Sequence, residues 1–450
     1  MNEQKTNPLG TEKISNLLLR FAIPSIIAMV VSALYNMVDQ FFIGRSVGML
    51  GNAATNVAFP LVITCTAIAL MCGIGGAANF NLCMEKEEAA SFAGNAITML
   101  FSLGMILCII TRLFLKPMMI LFGATSSVLD YSLIYTGITS LGFPFLILTT
   151  GGTNLVRADG SPKLSMTCTL TGAIINTILD PTLIFGFHMG IAGAAWATVI
   201  GQVVSGIMVI LYLRKFKTVK LTKEKLRPHP HYIGRIVSLG MAPFFNQVSM
   251  MVVQIVMNNV LIRYGAKSSY GSDIPLACAG IITKINMIFF AINIGISQGL
   301  QPIISYNYGA RKLDRVREAY LKAAISATII STVSFICFQL FPRQIIGIFG
   351  SESEAYFRFA EKFFRIFLFC TFINGLQPIT ANFFTAIGKA NRGIFLSLTR
   401  QVIFLLPLMI ILPIFFGIEG VMFSAPIADG FAAVCAITFA VKELKSFQKL

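Results

Sequence analysis

Apolar residues occur along this chain in blocks too long for ordinary soluble helices. A bilayer core of about 30 Å is crossed by roughly 20 residues of helix. Runs of that kind cover twelve segments: 17–44, 54–80, 90–114, 128–151, 162–186, 191–213, 235–262, 275–306, 316–341, 356–384, 392–415 and 418–440. Turn and charge signals separate them: Gly48 to Asn52, Glu85 to Glu88, Asp159-Gly-Ser-Pro162, Gly350-Ser-Glu-Ser353 and Gly417 to Gly420. Only one interruption is long and polar, RKFKTVKLTKEKLRPHPHYIG over 214–234. The pattern predicts an all-α polytopic membrane protein. Its parts are an N-terminal tail (1–16), six helices (17–213), a linker (214–234), six more helices (235–440) and a C-terminal tail (441–450).

The two sets of six read as repeats. Pro24 in FAIPSII stands opposite Pro243 in LGMAPFF, Arg157-Ala-Asp-Gly160 opposite Thr385-Ala-Ile-Gly388, and Gly190-Ile-Ala-Gly193 opposite Gly417-Ile-Glu-Gly420. Three matches in order at nearly constant offset predict two pseudo-symmetric six-helix bundles. Six spans per repeat give both the same orientation, with a central cavity between them, the layout of rocking transporters.

Composition agrees: 56% of the 450 residues are hydrophobic and 12% charged, with a mean hydropathy of +0.77. A soluble domain carries about twice that charge, so a large soluble enzyme is excluded. The net charge of +16 would suggest nucleic acid in a soluble protein, but the distribution of cations points to topology. With both termini on one side, that side holds 25 Lys and Arg and the opposite loops hold nine. The excess places termini and linker in the cytoplasm and explains the basicity without nucleic acid. The first sixteen residues are polar and lead into an apolar run longer than a signal peptide's, so the N-terminus reads as a cytoplasmic tail. The nine cysteines form no CxxC pair and read as small buried hydrophobes, with neither a disulfide framework nor a zinc site. His229 and His231 could in principle hold a metal together, but no metal site is expected from two histidines in a linker.

Ionised residues deep in a membrane are costly and need a reason. Asp39 lies in the first span, in Tyr35-Asn-Met-Val-Asp39, and Asp180 in the fifth, in Asn176-Thr-Ile-Leu-Asp180-Pro181. Tyr35 and Asn176 each stand four residues before their acid, on the same helical face. Pro181 has no N–H, so the Thr177 carbonyl loses its helical partner. Carboxylates beside freed carbonyls suit a small cation or a proton that must be taken up and released. The plainer reading is that Asp39 caps a kink and Asp180 satisfies a neighbour. At the repeat offset Asp39 faces Asn258 and Asp180 faces Leu408, so the acidic pair belongs to the first half alone.

Other polar groups are candidates for the cavity or for structure. Lys284 sits near mid-depth in the eighth span, where it could line the cavity or neutralise an acid. Gln298, with Gln301 and Pro302, could bond cargo or pin helices together. Arg400 and Asp429 lie about four residues apart in distance from the turn near 415–418, roughly 6 Å along the helices, and read as a structural ion pair.

These residues resemble the multidrug and toxic compound extrusion (MATE) transporters of the prokaryotic branch, over nearly the whole chain. The resemblance rests on Tyr-Asn-x-Val-Asp-x-x-Phe-Ile-Gly from Tyr35, Arg-Ala-x-Gly-x-Pro-Lys from Arg157, Asn-x-x-x-Asp-Pro from Asn176, and Gly-x-x-Gly-Ala-Ala-x-Ala-Thr ending at Thr198. It extends to Gln298-Gly-x-Gln-Pro-x-x-Ser-Tyr-Asn-Tyr-Gly-Ala310. It implies two six-helix bundles in a V, in a bacterial cytoplasmic membrane, exporting organic cations against H⁺ or Na⁺. It also implies cation-coupling roles for Tyr35, Asp39, Asn176, Asp180 and Thr198. Another branch uses acids of helices seven and ten. Helix seven has none here, and Glu361, the deepest of helix ten, is near its outer end, so that site is not carried over. The second–third loop, Asn81-Leu-Cys-Met-Glu-Lys-Glu-Glu88, departs from the family's usual Leu-Gly-Ala-like turn.

The expected partners are amphipathic drugs and organic cations, with lipid around a monomeric chain and no cofactor beyond the coupling ion. Phe143, Phe145 and the tenth-helix phenylalanines Phe363, Phe364, Phe367 and Phe372 are candidate cavity walls, since aromatic faces attract cations. The alternative is a lipid-linked oligosaccharide flippase of the same superfamily, whose anionic cargo calls for several cavity cations; Lys284 is the main one here. A membrane enzyme would need a convergent nucleophile or metal motif, and none occurs.

Overall fold

The computed structural model describes residues 8–83, 86–271, 273–347 and 354–447. The first seven residues of the tail, Glu85, the Gly350–Ser353 break and the last three residues lie outside the described residues. Twelve helical spans follow one another: α1 (Ile14–Val47), α2 (Met49–Leu82), α3 (Lys86–Leu113), α4 (Ser126–Ala158), α5 (Pro162–Gly186), α6 (Gly190–Leu213), α7 (Pro230–Gly265), α8 (Asp273–Gly309), α9 (Leu313–Leu340), α10 (Glu354–Phe367 continued by Thr371–Ala386), α11 (Ala390–Phe416) and α12 (Ile418–Phe447).

Most spans outrun their apolar runs, because helix continues into the polar flanks. The linker shortens to 214–229 for this reason. α7 starts at Pro230, which fits a first turn because its missing N–H needs no partner there. His229 caps that start, its Nδ1 accepting the His231 N–H at 3.3 Å. Three spans are irregular. α5 passes into a π turn (Thr182–Gly186) directly after Pro181, α11 holds a π turn over Thr399–Leu405, and α10 bends by 45° between Phe367 and Thr371.

The cores show how the halves interlock. One is built from α2 to α6, yet it also takes Ile236 from the first turns of α7. A second joins α8 to α12 but takes Leu9, Ile14, Leu17, Leu18, Phe21 and Ala22 from the beginning of the chain. A third fills the opposite end of the second half, among α7, α8, α10, α11 and α12. Thus α1 and α7 each begin in the other half's core and return to their own.

This crossing closes the molecule at the end that carries the termini and linker. Gly240 of α7 lies so near α2 that a Cβ there would stand 2.0 Å from the Met71 carbonyl oxygen. Gly299 of α8 does the same with α1, at 2.5 Å from the Ala22 Cα. Asn79 donates to the Arg235 carbonyl at 3.2 Å and Gln301 to the Ile74 carbonyl at 3.1 Å, again between the halves. Every residue of α2 from Cys72 to Asn81 is buried. Towards the opposite end the same helices bare large side chains: Leu34 on α1, Phe59 on α2 and Ile255 on α7. The halves therefore meet at one end and part towards the other.

The linker is strapped to the first half. The Asp159 carboxylate accepts the Tyr212 hydroxyl at 2.7 Å, the Lys217 and Thr218 amides at 2.7 and 3.0 Å, and the Thr218 hydroxyl at 2.5 Å. Further on, Thr98 donates to the Leu226 carbonyl at 2.7 Å and Asn95 accepts the His229 amide at 2.8 Å. Ile325, Ile329, Val333 and Ile336 form an exposed stripe on α9, the kind of surface that hydrocarbon covers.

Candidate functional site

α1 and α5 pack side by side, and this brings Asp39 and Asp180 together. Both are buried, and their carboxyl groups lie within hydrogen-bonding reach of each other. Asp39 Oδ1 has no hydrogen-bond partner among the described residues. One turn earlier on α5, the Asn176 amide lies between Asp180 and α6. Turned so that each atom meets a complementary partner, its nitrogen donates to Asp180 Oδ2 at 3.3 Å and its oxygen accepts the Thr198 amide and hydroxyl, both at 3.2 Å. Tyr35 stands beside the two acids. The structure thus gathers all five sequence-derived residues into one cluster in the first half.

A pocket of about 90 Å³ with several hydroxyl and amide side chains in its lining adjoins the cluster on the side towards the closed end. Its lining comes from regular helical faces: Ser32 and Tyr35 of α1, Thr169 and Asn176 of α5, Thr198 and Gln202 of α6, and Thr149 and Thr150 of α4. Thr149 Oγ1 and Gln202 Oε1 are buried without a partner among the described residues. The space is large enough for ordered water, which would satisfy such atoms; a drug-sized ligand would require it to widen. Gln202 was missed in the sequence, although its position one turn beyond Thr198 could have pointed to it. Thr149 and Thr150 lie inside an apolar run and gave no signal until α4 was placed.

Arg400 and Asp429 form an ion pair, Nε to Oδ1 at 2.6 Å, with both side chains buried. Asn374, at the break in α10, donates to Asp429 Oδ2 at 3.2 Å, and the guanidinium carbon lies 5.2 Å from the Phe290 ring centroid. This centre is in the second half, apart from the acidic cluster. Lys284 is exposed and in no ion pair among the described residues. It is three turns from Gly295, which abuts Ile26, and hence on the face of α8 that meets α1. The acids of α10 are held at its far end, Glu354 and Glu361 by Arg343 at 2.7 and 3.6 Å.

Three candidate cavity residues are buried here. Gln298 is 4% exposed and its Oε1 accepts the Arg157 guanidinium at 2.7 Å, which ties helices together. Phe143 is 2% exposed within the first core. Phe367 lies in the third, edge-on to Phe363 with centroids 5.3 Å apart. Phe363 and Phe364 are likewise core. Three of the four tenth-helix phenylalanines are thus packed against other helices, while Phe372 is half-buried beside Phe335. Phe145 is half-buried and packs over Gly206 of α6. Arg157 and Arg400, counted in the sequence as loop cations, are buried; removing both leaves the charge asymmetry standing.

Comparison with known proteins agrees with this architecture. The chain is 26% identical over 450 residues to the multidrug export protein MepA of Staphylococcus haemolyticus, covering 99% of this chain and 97% of that one. It is 25% identical to the MepA of Staphylococcus aureus strain N315, covering 93% and 92%. Among solved structures, an outward-facing multidrug resistance MATE transporter of the MOP superfamily superposes with a TM-score of 0.92 at 21% identity, over the full length of both chains. A MOP superfamily transporter from Pyrococcus furiosus, described as having a binding pocket of reverse polarity, superposes at 0.91 and 21% identity, again over both full lengths. The MatE family model matches residues 24–182 and 244–411, one block in each half and most of the chain. With twelve spans in that arrangement and a match in both halves, the protein belongs to the MatE family of multidrug and toxic compound extrusion transporters.

Proposed function

We propose that this protein is a multidrug efflux antiporter of the cytoplasmic membrane, exchanging amphipathic, mostly cationic compounds for protons by alternating access. The observation that carries this reading is the contact between two buried carboxyl groups, Asp39 and Asp180, beside a small pocket lined in part by hydroxyl and amide side chains. Two carboxylates so close do not both ionise without a cation or a shared proton between them. The relatives named MepA are multidrug exporters, which supports the same cargo class here. The cation excess puts termini and linker in the cytoplasm, so the halves meet on the inner side and the cleft between them opens outward.

Loading of the pair from outside draws α1 and α5 together. α1 also begins in the core of the other half, so a change in its position is felt at the inner closure. The preference for H⁺ over Na⁺ follows from the hydrogen bonds. Asn176 already uses its oxygen on Thr198 and its nitrogen on Asp180, so a sodium ion would have to gather its ligands from the carboxyls and the surrounding hydroxyl and carbonyl oxygens. A shared proton needs only the carboxyls.

The decisive experiment is efflux from proteoliposomes under an imposed pH gradient and, separately, a Na⁺ gradient. Proton coupling is expected, and efflux that follows Na⁺ at fixed pH and ignores the pH gradient refutes it. Thr198→Ala and Asn176→Ala sharpen the comparison by removing neutral oxygens while keeping both acids. With H⁺ coupling each shifts the pH dependence of transport, because hydrogen bonds to a carboxylate set its proton affinity; with Na⁺ coupling each sharply weakens Na⁺-driven efflux.

Cargo charge is tested with a panel of lipophilic cations and fluoroquinolones against an anionic lipid-linked precursor. The cations are expected to be exported. Export of the precursor alone would favour a flippase, for which Lys284 would be the cavity cation.

A further inference from the structure

Arg157 is a cation that the coupling chemistry leaves unused. It stands one residue before the end of α4 and is 3% exposed. Its guanidinium donates to Asn154 Oδ1 at 2.6 Å, Gln298 Oε1 at 2.7 Å and Ser165 Oγ at 3.3 Å. All three acceptors are neutral, and Arg157 forms no ion pair among the described residues. Asp159, the nearest acid in sequence, is occupied by Tyr212 and the linker. A charge buried without a counter-charge loses hydration that neutral oxygens restore only in part. Gln298 belongs to α8, so this charge-assisted bond spans the two halves at their closed end. One turn further along α8, Gln301 holds the Ile74 carbonyl across the same interface.

We propose that Arg157 is a positioning residue that sets the opening equilibrium of the inner end, through two opposed contributions. Its bond to Gln298 holds the halves together. Its unneutralised charge favours the open state, in which water reaches the guanidinium. An Arg–carboxylate pair here would hold the end shut, and a purely apolar contact would give no drive to open; a cation on a neutral acceptor leaves the two states near balance. The proposal goes beyond the efflux reading and rests on it only in requiring that the inner end opens.

The two contributions are separable because one partner carries the charge and the other does not. Lys163 and Arg317 are exposed on opposite halves at the inner end. Lys163→Cys and Arg317→Cys, spin-labelled in a background without the native cysteines and placed in nanodiscs, report the separation by pulsed dipolar spectroscopy. Gln298→Leu removes the acceptor and keeps the charge, so the open population is expected to rise roughly tenfold relative to the closed, about the effect of one charge-assisted hydrogen bond. Arg157→Met removes the same bond together with the charge, and the open population is expected to fall below that of the unsubstituted protein. Arg157→Lys, which restores the charge, is expected to reverse that fall. Gln298→Glu supplies a counter-charge and is expected to close the end, a check that holds even if Arg157→Met does not fold.

Opening by Arg157→Met equal to that by Gln298→Leu overturns the proposal, since Arg157 would then be a simple tie. Opening by Gln298→Glu, or no response in any variant, overturns it as well. A single label distance in the unsubstituted protein under every gradient and cargo tested would overturn the alternating-access reading itself, and this proposal with it.

Discussion

Proteoliposomes containing Asp39→Asn or Asp180→Asn are expected to show no gradient-driven efflux above that of protein-free vesicles. Each protein should still purify in the amount and dispersity of the unsubstituted chain. Asparagine keeps the size and much of the hydrogen bonding of aspartate but cannot exchange a charge. A gradient does work on a two-state protein only through a ligand whose affinity differs between the states. Moving the populations from 1:99 to 99:1 takes a difference of about 5.5 kcal/mol. Asp39 and Asp180 are the carboxyls in contact in the first half, and with either one replaced the other has no partner with which to share a proton or a cation. Cargo binding, followed by quenching of a fluorescent lipophilic cation, should persist in both variants and thereby separate loss of coupling from loss of fold. Transport at the unsubstituted rate by either variant would remove the pair from the mechanism.

Arg400→Leu should cost about 3–5 kcal/mol of stability, the scale for a buried ion pair deprived of one partner. Asp429 would remain in the second half with only the Asn374 amide at 3.2 Å to hold it. The readout is the apparent Tm in detergent, with the fraction surviving as a monodisperse species. Arg400→Leu combined with Asp429→Leu should recover most of the loss, because the double variant buries no orphaned charge. It should also retain efflux, since this centre lies apart from the acidic cluster of the first half. A double variant as unstable as the single one would mean that the helices depend on this pair for their geometry. Loss of efflux in a stable double variant would instead give the pair a part in transport.

Much of this protein could be read from the order of its residues. Twelve spans follow from runs of apolar residues, because a lipid bilayer sets the length of a helix and requires its backbone to be satisfied internally. The proposed orientation rests on where lysine and arginine stand. The cost of burying a carboxylate drew attention to Asp39 and Asp180, and four-residue spacing attached Tyr35 and Asn176 to them. The companionship of Arg400 and Asp429 followed from counting turns about a tight connection.

Other features depended on packing between distant segments. Gln298 looked like a cavity residue and Arg157 like part of a loop until α4 and α8 met and bonded them at 2.7 Å. Phe143 and Phe367 were plausible cavity walls because an apolar span does not reveal which of its faces meets another helix and which meets lipid or a cleft. The pocket beside Asn176 draws on four helices, and Thr149 belongs to it only because α4 turns that face towards α5 and α6. Local sequence carries periodicity, length and charge, since these act within one helix. The rotation and depth at which one helix meets another are set by close contacts such as Gly240 against Met71 and Gly299 against Ala22, which join residues far apart in the chain and exist only once the two halves have closed on each other.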